Sequence, residues 1–136
     1  MTSSQPVRRV TKDLLERTLS MGDVARLAGV APSAVRFYER HGVVTAYRTS
    51  GNQRRFLPVA VCRIRVARVA QRVGMTVREI AEVLGTLPED CGPDDWDRIG
   101  RRLVAEGEAR IRRLERVVKE ISVNEELCSI DLRIEA

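Results

Sequence analysis

Apolar residues recur at three- and four-residue steps through most of this 136-residue chain, and the pattern lapses into strand-like sequence at one place, around residues 43–56. In residues 19–30, Met21, Val24, Ala25 and Ala28 form one helical stripe. Ser20 is placed to cap that helix, with Asp23 at its third position, and Gly29 to end it. Pro32 and Ser33 open a second helix and Gly42 stops it. Within it Val35 faces inward, Tyr38 or Glu39 flanks the stripe, and Arg36 and Arg40 stand one turn apart on another face. Two short helices about a tight turn make a helix-turn-helix unit. The sequence VVTAYRTSGNQRRF then predicts a strand on Val43, Val44, Thr45 and Tyr47, a turn at residues 50–52 and a return strand on Arg54, Arg55 and Phe56. That hairpin is the wing of a winged helix, with Gly51 and Asn52 suited to positive φ and Phe56 as the pin to the core.

Residues 57–74 predict a longer helix entered through Pro58 and closed by Gly74, with Val59, Cys62, Val66, Val69 and Val73 on its apolar face and Cys62 as a small buried hydrophobe. Thr76 and Glu79 predict the start of the next, which buries Val77, Ile80, Ala81 and Leu84 and ends at Gly85. Residues 86–95, rich in Pro, Gly and acids, read as a linker. From 96 to 128 a single long helix is expected, because Val104, Gly107, Ile111, Leu114, Val118, Ile121, Glu125 and Cys128 alternate three- and four-residue spacings. Trp96, Ile99 and Leu103 lie on a neighbouring line that would seat it against the head. A helix of that length outruns a small head and needs a cover for its stripe; a second copy, parallel or antiparallel, is the simplest one. The expected organisation is an arm (residues 1–19), in which Arg8, Arg9 and Lys12 are within reach of a phosphate backbone, then a winged helix-turn-helix head (20–85), the linker, the dimerisation helix (96–128) and a tail (129–136). The fold class is mainly α.

Composition fits that picture. Hydrophobic residues make up 43% of the chain but aromatics only 4%, so aliphatic side chains must fill the core, as helices allow. No apolar run is long enough to span a bilayer and no signal-peptide pattern opens the chain, which predicts a cytoplasmic protein with no membrane partner. Residues 1–75 carry 14 Arg and Lys against 4 Asp and Glu, and residues 76–136 carry 10 against 15. The basic half suits a polyanion. A helix fits the major groove of B-DNA, so Arg36 is expected at a base edge or phosphate and the Tyr38 hydroxyl on the backbone. Asn52, Gln53, Arg54 and Arg55 are expected to donate to phosphates or enter the minor groove from the wing. His41 is the only histidine, and no paired acids, nucleophile elbow, phosphate loop or metal-ligand spacing appears, so no enzyme and no cofactor is expected. Among Cys62, Cys91 and Cys128, Cys91 in the linker reads as an exposed thiol, although Asp90, Asp94 and Asp95 disfavour its thiolate.

The segments SMGDVARLAGV, SAVRFYERHGVV, RTSGNQRRF and AQRVGMTVREIAEVLG, followed by the long helix, resemble the MerR family of transcriptional regulators. SGNQRRF and AQRVG are similar to its SoxR branch. The resemblance implies an antiparallel coiled coil between two subunits, a homodimer on promoter DNA, and activation by bending and untwisting an overlong spacer between RNA polymerase elements. It adds Arg48 to Arg36, Tyr38, Asn52, Gln53, Arg54 and Arg55 as DNA contacts, and implies that Val104, Ile111, Leu114, Val118 and Ile121 carry the dimer. Arg36 replaces a histidine of the SoxR branch and fits the wider family. That branch holds a [2Fe–2S] cluster on four closely spaced cysteines after the dimerisation helix, where NEELCSIDLRIEA supplies only Cys128. A small-molecule effector, or a thiol signal at Cys91 or Cys128, stays open as input. So do an architectural DNA binder without effector response, a thiol- or ligand-responsive repressor, and a protein-interaction adaptor.

Overall fold

In the computed structural model, residues 17–123 and 126–129 are described. The arm residues Arg8, Arg9 and Lys12, Glu125 of the stripe, and the tail beyond residue 129 lie outside them. The described elements are β1 (Leu19–Ser20), α1 (Met21–Ala28), α2 (Pro32–Arg40), β2 (Ala46–Arg48), β3 (Arg54–Phe56), α3 (Val59–Val73), α4 (Val77–Leu84), α5 (Pro93–Val123) and a 3₁₀ turn at Leu127–Ser129. The three short strands form an antiparallel sheet in the order β1-β3-β2, with Leu19 opposite Phe56 and Tyr47 opposite Arg55.

Local chemistry sets most helix ends. Ser20 Oγ accepts from the Asp23 N–H at 3.1 Å, closing the start of α1. Gly29 takes φ 72°, and the Val30 N–H returns to the Ala25 carbonyl at 2.9 Å, so α1 ends in a Schellman turn. Thr76 and Glu79 form the reciprocal capping box at the start of α4. Gly74 ends α3 at φ 104°, and the Arg110 side chain of α5 passes so close that an added Cβ would lie 3.3 Å from its Cδ. The left-handed backbone favours glycine there, and any side chain would also have to displace Arg110 slightly.

Four features depart from the sequence pattern. β1 extends the ordered head back through Leu19, which pairs with β3, and Thr18 before it is buried. Val43 and Val44 are fully packed yet lie outside any strand, because Gly42 at φ 79° turns the chain and the Val43 N–H closes α2 on the Tyr38 carbonyl at 2.9 Å. On α3 the buried residues are Ala60, Ile64, Ala67 and Ala70, whereas Cys62 and Val69 are exposed. The small alanines let α1 and α4 approach closely, so the face with less apolar bulk is the one that packs. Finally, α5 begins at Pro93 rather than near residue 96 and ends at Val123. The Asp95 carboxylate accepts from the Gly92 N–H at 3.0 Å, which starts the helix early and shortens the linker to residues 86–92.

The core gathers Val24, Val35, Tyr38, Phe56, Ile64, Ile80 and Leu84 with Ile99 from the base of α5. Phe56 is fully buried, worth about 1.5–3 kcal/mol, and pins the wing as its position in the sequence predicts. Trp96 and Leu103 pack on the same core, so the first third of α5 belongs to the head. Arg110 still reaches Gly74 and Glu79 of the head, but the apolar stripe faces away from it: Val104, Ile111, Leu114, Val118 and Ile121 are between 48% and 63% exposed. At 31 residues α5 is about 46 Å long.

Candidate nucleic-acid interface

On α2, Ser33, Arg36 and Arg40 follow at three- and four-residue steps and are all exposed, while Val35 and Tyr38 are buried on the opposite side. This is the outward face of the second helix of the unit. His41 closes the helix and lies over Phe37, ring centroids 4.5 Å apart. The Arg68 guanidinium on α3 donates to the Gly29 carbonyl at 3.3 Å, bracing the turn between α1 and α2 from behind.

Tyr38 does not join the outward face. Its ring is 6% exposed, and its hydroxyl donates to Gln71 Oε1 on α3 at 2.7 Å. Burial pushes the phenol above its ordinary pKa. The expected backbone contact is therefore replaced by a structural one: Tyr38 fixes how α2 is presented.

The wing tip is built from its own polar groups. The Thr49 N–H donates to the Gln53 carbonyl at 3.0 Å, Thr49 Oγ1 accepts from the Gln53 N–H at 3.1 Å, and the Asn52 N–H donates to the Thr49 carbonyl at 2.9 Å. Asn52 takes the positive φ, 61°, and Gly51 does not, although the sequence nominated both. An asparagine tolerates this conformation at modest cost. Arg48 donates to the Asn52 carbonyl at 3.0 Å across the tip. Ser50, Gly51, Asn52 and Gln53 are exposed.

The two adjacent arginines have different partners. Arg54 pairs with Glu39 of α2 at 2.9 Å, joining wing to helix. Arg55 donates to Thr18 Oγ1 at 3.0 Å and to the Thr18 carbonyl at 2.8 Å, holding the residue that precedes β1. The exposed face of α2 and the wing tip are thus parts of one head, coupled by the Glu39–Arg54 pair. Sequence reasoning missed Thr18, Glu39 and Gln71 as supports. Their partners lie 15 to 37 residues away, and no local pattern marks such pairs.

Behind this surface Arg63 of α3 is half-buried and donates to the carbonyls of Val43 at 2.9 Å and Leu84 at 2.8 Å. Burial lowers its pKa from the usual guanidinium value. Arg110 bridges α5 to α4: it donates to Glu79 at 3.3 Å and to Glu106 at 2.7 Å. Hydrogen bonds hold both carboxyls below the ordinary range, chiefly from Thr76 for Glu79 and from Arg110 for Glu106.

Of the thiols, Cys62 and Cys128 are exposed and Cys91 is half-buried against the core, reversing the expectation for Cys62 and reducing it for Cys91. Among the described residues no three His, Cys, Asp or Glu side chains gather as a metal site, and no helix is long and apolar enough to cross a membrane.

Residues 19–87 match the family described as MerR HTH family regulatory protein, and residues 61–122 match MerR, DNA binding. An HTH-type transcriptional activator SoxR homolog from Chromobacterium violaceum is 40% identical over 88 residues, covering 63% of this chain and 60% of that relative's length. A mercuric resistance operon regulatory protein from Pseudomonas fluorescens is 33% identical over 108 residues, 76% of this chain and 74% of the relative. A MerR family transcriptional regulator from Listeria monocytogenes shares the fold with a TM-score of 0.53 at 19% identity, over 76% of this chain and 80% of that one. HiNmlR, a MerR family regulator lacking the sensor domain and bound to promoter DNA, gives 0.51 at 17% identity, over 77% and 85%. These two likenesses concern the fold alone. The four-cysteine cluster of the SoxR branch does not fit the residues present: of the three cysteines, Cys62 stands exposed on α3, Cys91 packs against the core and Cys128 follows the far end of α5.

Proposed function

This chain belongs to the MerR family of HTH regulatory proteins, and from that premise we propose that it acts as a homodimer that binds promoter DNA sequence-specifically and activates by distorting the spacer. The observation that carries the reading is the division of one chain into a head with an exposed polar face and a projecting helix whose apolar stripe the described residues leave exposed. In this proposal Arg36 reads a base edge from the major groove, with Ser33 and Arg40 beside it. Arg48, Asn52 and Gln53 hold phosphates from the wing, joined by Arg54 and Arg55 once these exchange their protein partners for DNA. Val104, Ile111, Leu114, Val118 and Ile121 close an antiparallel coiled coil that sets the distance between two heads.

Fixed heads are what make distortion work. If their separation does not match that of the half-sites on straight B-DNA, both can engage only when the intervening duplex bends and untwists, at a cost of about 1–6 kcal/mol for a 20–30 bp site. The wing and helix contacts must supply that energy. RNA polymerase then meets promoter elements brought into register, and a small-molecule or thiol signal would act by changing head separation.

The test is a duplex carrying a selected binding site with fluorophores at its ends. Specific binding by the dimer should raise energy transfer, and Leu114→Asp, at a position 63% exposed in the single chain, should leave the fold intact, yield monomers and abolish the change. Tight specific binding with unchanged energy transfer and no enhanced reactivity of the central bases would favour a binder without distortion.

A further inference from the structure

Resting on the dimer and the spacer distortion proposed above, we infer that Arg110 is a positioning residue: with Glu79 and Glu106 it locks the angle between the head and α5, and that angle sets how far two joined heads bend and untwist one duplex. Arg110 does this without touching DNA. α5 meets its own head at two separate places. The first is the apolar base, where Ile99 is 2% exposed and Trp96 and Leu103 pack on the core. One apolar contact leaves a helix free to rock, because burial has no preferred direction. The second place lies at Arg110, eleven residues on from Ile99 and about 16 Å along the helix. Just before it Gly107 passes the end of α3, where a Cβ built on the glycine would lie 3.7 Å from Val73 Cγ1. This glycine is the gap in the stripe of the long helix, and its missing side chain lets the backbone of α5 come close enough for the next turn to reach the head.

Arg110 occupies that turn with its side chain 20% exposed. One guanidinium nitrogen donates to Glu106 Oε2 at 2.7 Å and to the Glu106 carbonyl at 3.3 Å, and the other donates to Glu79 Oε2 at 3.3 Å. Glu79 is itself held, since its Oε1 accepts from the Thr76 N–H at 3.2 Å and from the Thr76 hydroxyl at 2.9 Å. Glu106 is held in turn by Arg102, whose Nε donates to its Oε1 at 3.1 Å. A planar fork set between two oriented carboxylates has a narrow range of geometries, where a flexible ammonium would have several. The stem of Arg110 packs on the turn between α3 and α4, within 3.3 Å of where a Cβ of Gly74 would stand. Two contacts at this separation fix a direction that one leaves free. A 1 Å shift at Arg110 about the apolar base turns the head by about 3.5° relative to α5, and the two heads of a symmetric pair by up to about 7°.

The experiment uses the full chain and separates gripping from distorting. A duplex with one half-site reports a single head. End-labelled duplexes with two half-sites report distortion, and one base pair inserted between the half-sites rotates them by about 35°. Glu79→Gln keeps an acceptor for the capping box of α4 and removes the charge that faces Arg110; Arg110→Gln removes the fork. Circular dichroism and sedimentation should show a folded dimer for both, and anisotropy should show unchanged affinity for the half-site. On the full site the rise in energy transfer should fall by about half or more, and the preference for the original spacing over the lengthened one should shrink. The double variant should match either single variant, and Arg110→Lys should recover part of the change. Full energy transfer with an unaltered spacing preference in both single variants would overturn the positioning role and leave distortion by the dimer standing. An equal loss on the half-site, or a monomer, would overturn it as well, by making the network a support of the head or of the dimer. No rise in energy transfer with the unaltered chain would overturn the distortion reading and the positioning role together.

Discussion

The Glu39–Arg54 pair makes the most direct demand on the proposed interface. In the proposed exchange Arg54 turns its guanidinium from Glu39, 2.9 Å away, to a phosphate, so the pair subtracts from DNA affinity. Both side chains keep some solvent access, at 35% and 22%, and such a pair is worth about 0.4–1 kcal/mol. Glu39→Gln removes that cost. One head alone would gain about twofold to fivefold; two heads on one duplex double the free energy, so the dimer should gain up to about 25-fold. Arg54→Ala removes one phosphate contact per head, and the slope of log K against log salt should fall by about 1.8 for the dimer. Anisotropy titrations at several salt concentrations, on a specific and a scrambled duplex, measure both quantities. The double variant is decisive: Glu39→Gln should tighten binding with Arg54 present and do nothing in the Arg54→Ala background. Equal tightening in both backgrounds would mean that Glu39 merely repels DNA and that Arg54 stays in place, which refutes the exchange.

Three further outcomes concern the scaffold. Arg63→Leu strands the Val43 and Leu84 carbonyls and should cost about 2–4 kcal/mol in urea unfolding, with Arg63→Lys recovering part of it; a loss under 0.5 kcal/mol would show that water replaces the guanidinium freely. Tyr38→Phe should cost about 1 kcal/mol of stability and leave the affinity of the folded protein for DNA unchanged, whereas a loss of affinity at equal folded fraction would return the hydroxyl to the phosphate backbone. Glu79 and Glu106 have folded pKa values lowered from about 4.5, so the unfolded chain binds more protons in acid; their contribution is present above pH 4.5 and is lost as pH falls through the lowered values. Glu106→Gln should flatten the decline of stability below pH 4.5, as followed by circular dichroism, and an unaltered decline would assign it to other carboxylates.

Much of the fold was legible because its signals are local. Ser20, Gly29, Gly42, Gly74 and the Thr76–Glu79 box satisfy or release backbone groups within a few residues, and they sit where the structure begins and ends its helices. The candidate surface was legible only in part. Arg36, Asn52 and Gln53 are exposed as their neighbours predict, but the same reasoning put Tyr38 beside them. A tyrosine on the edge of a helical stripe can face either way, and only Gln71, 33 residues on, gives its hydroxyl a partner inside the head.

What the sequence determined by itself is the set of interactions closed within one turn of chain: caps, glycine stops, and the three-four stripe of the last helix. Tertiary structure decided what depends on distance between elements. Hydropathy ranks the valines of α3 above its alanines, yet Ala60, Ala67 and Ala70 are buried and Val69 is not, because close approach of neighbouring helices rewards small side chains over apolar ones. The same holds for Leu19 and Ser20, two residues with no strand signal of their own, which become a strand because β3 offers them an edge. Which residue touches which is a property of the packed chain, since the free energy of a contact depends on a partner that the local sequence does not contain.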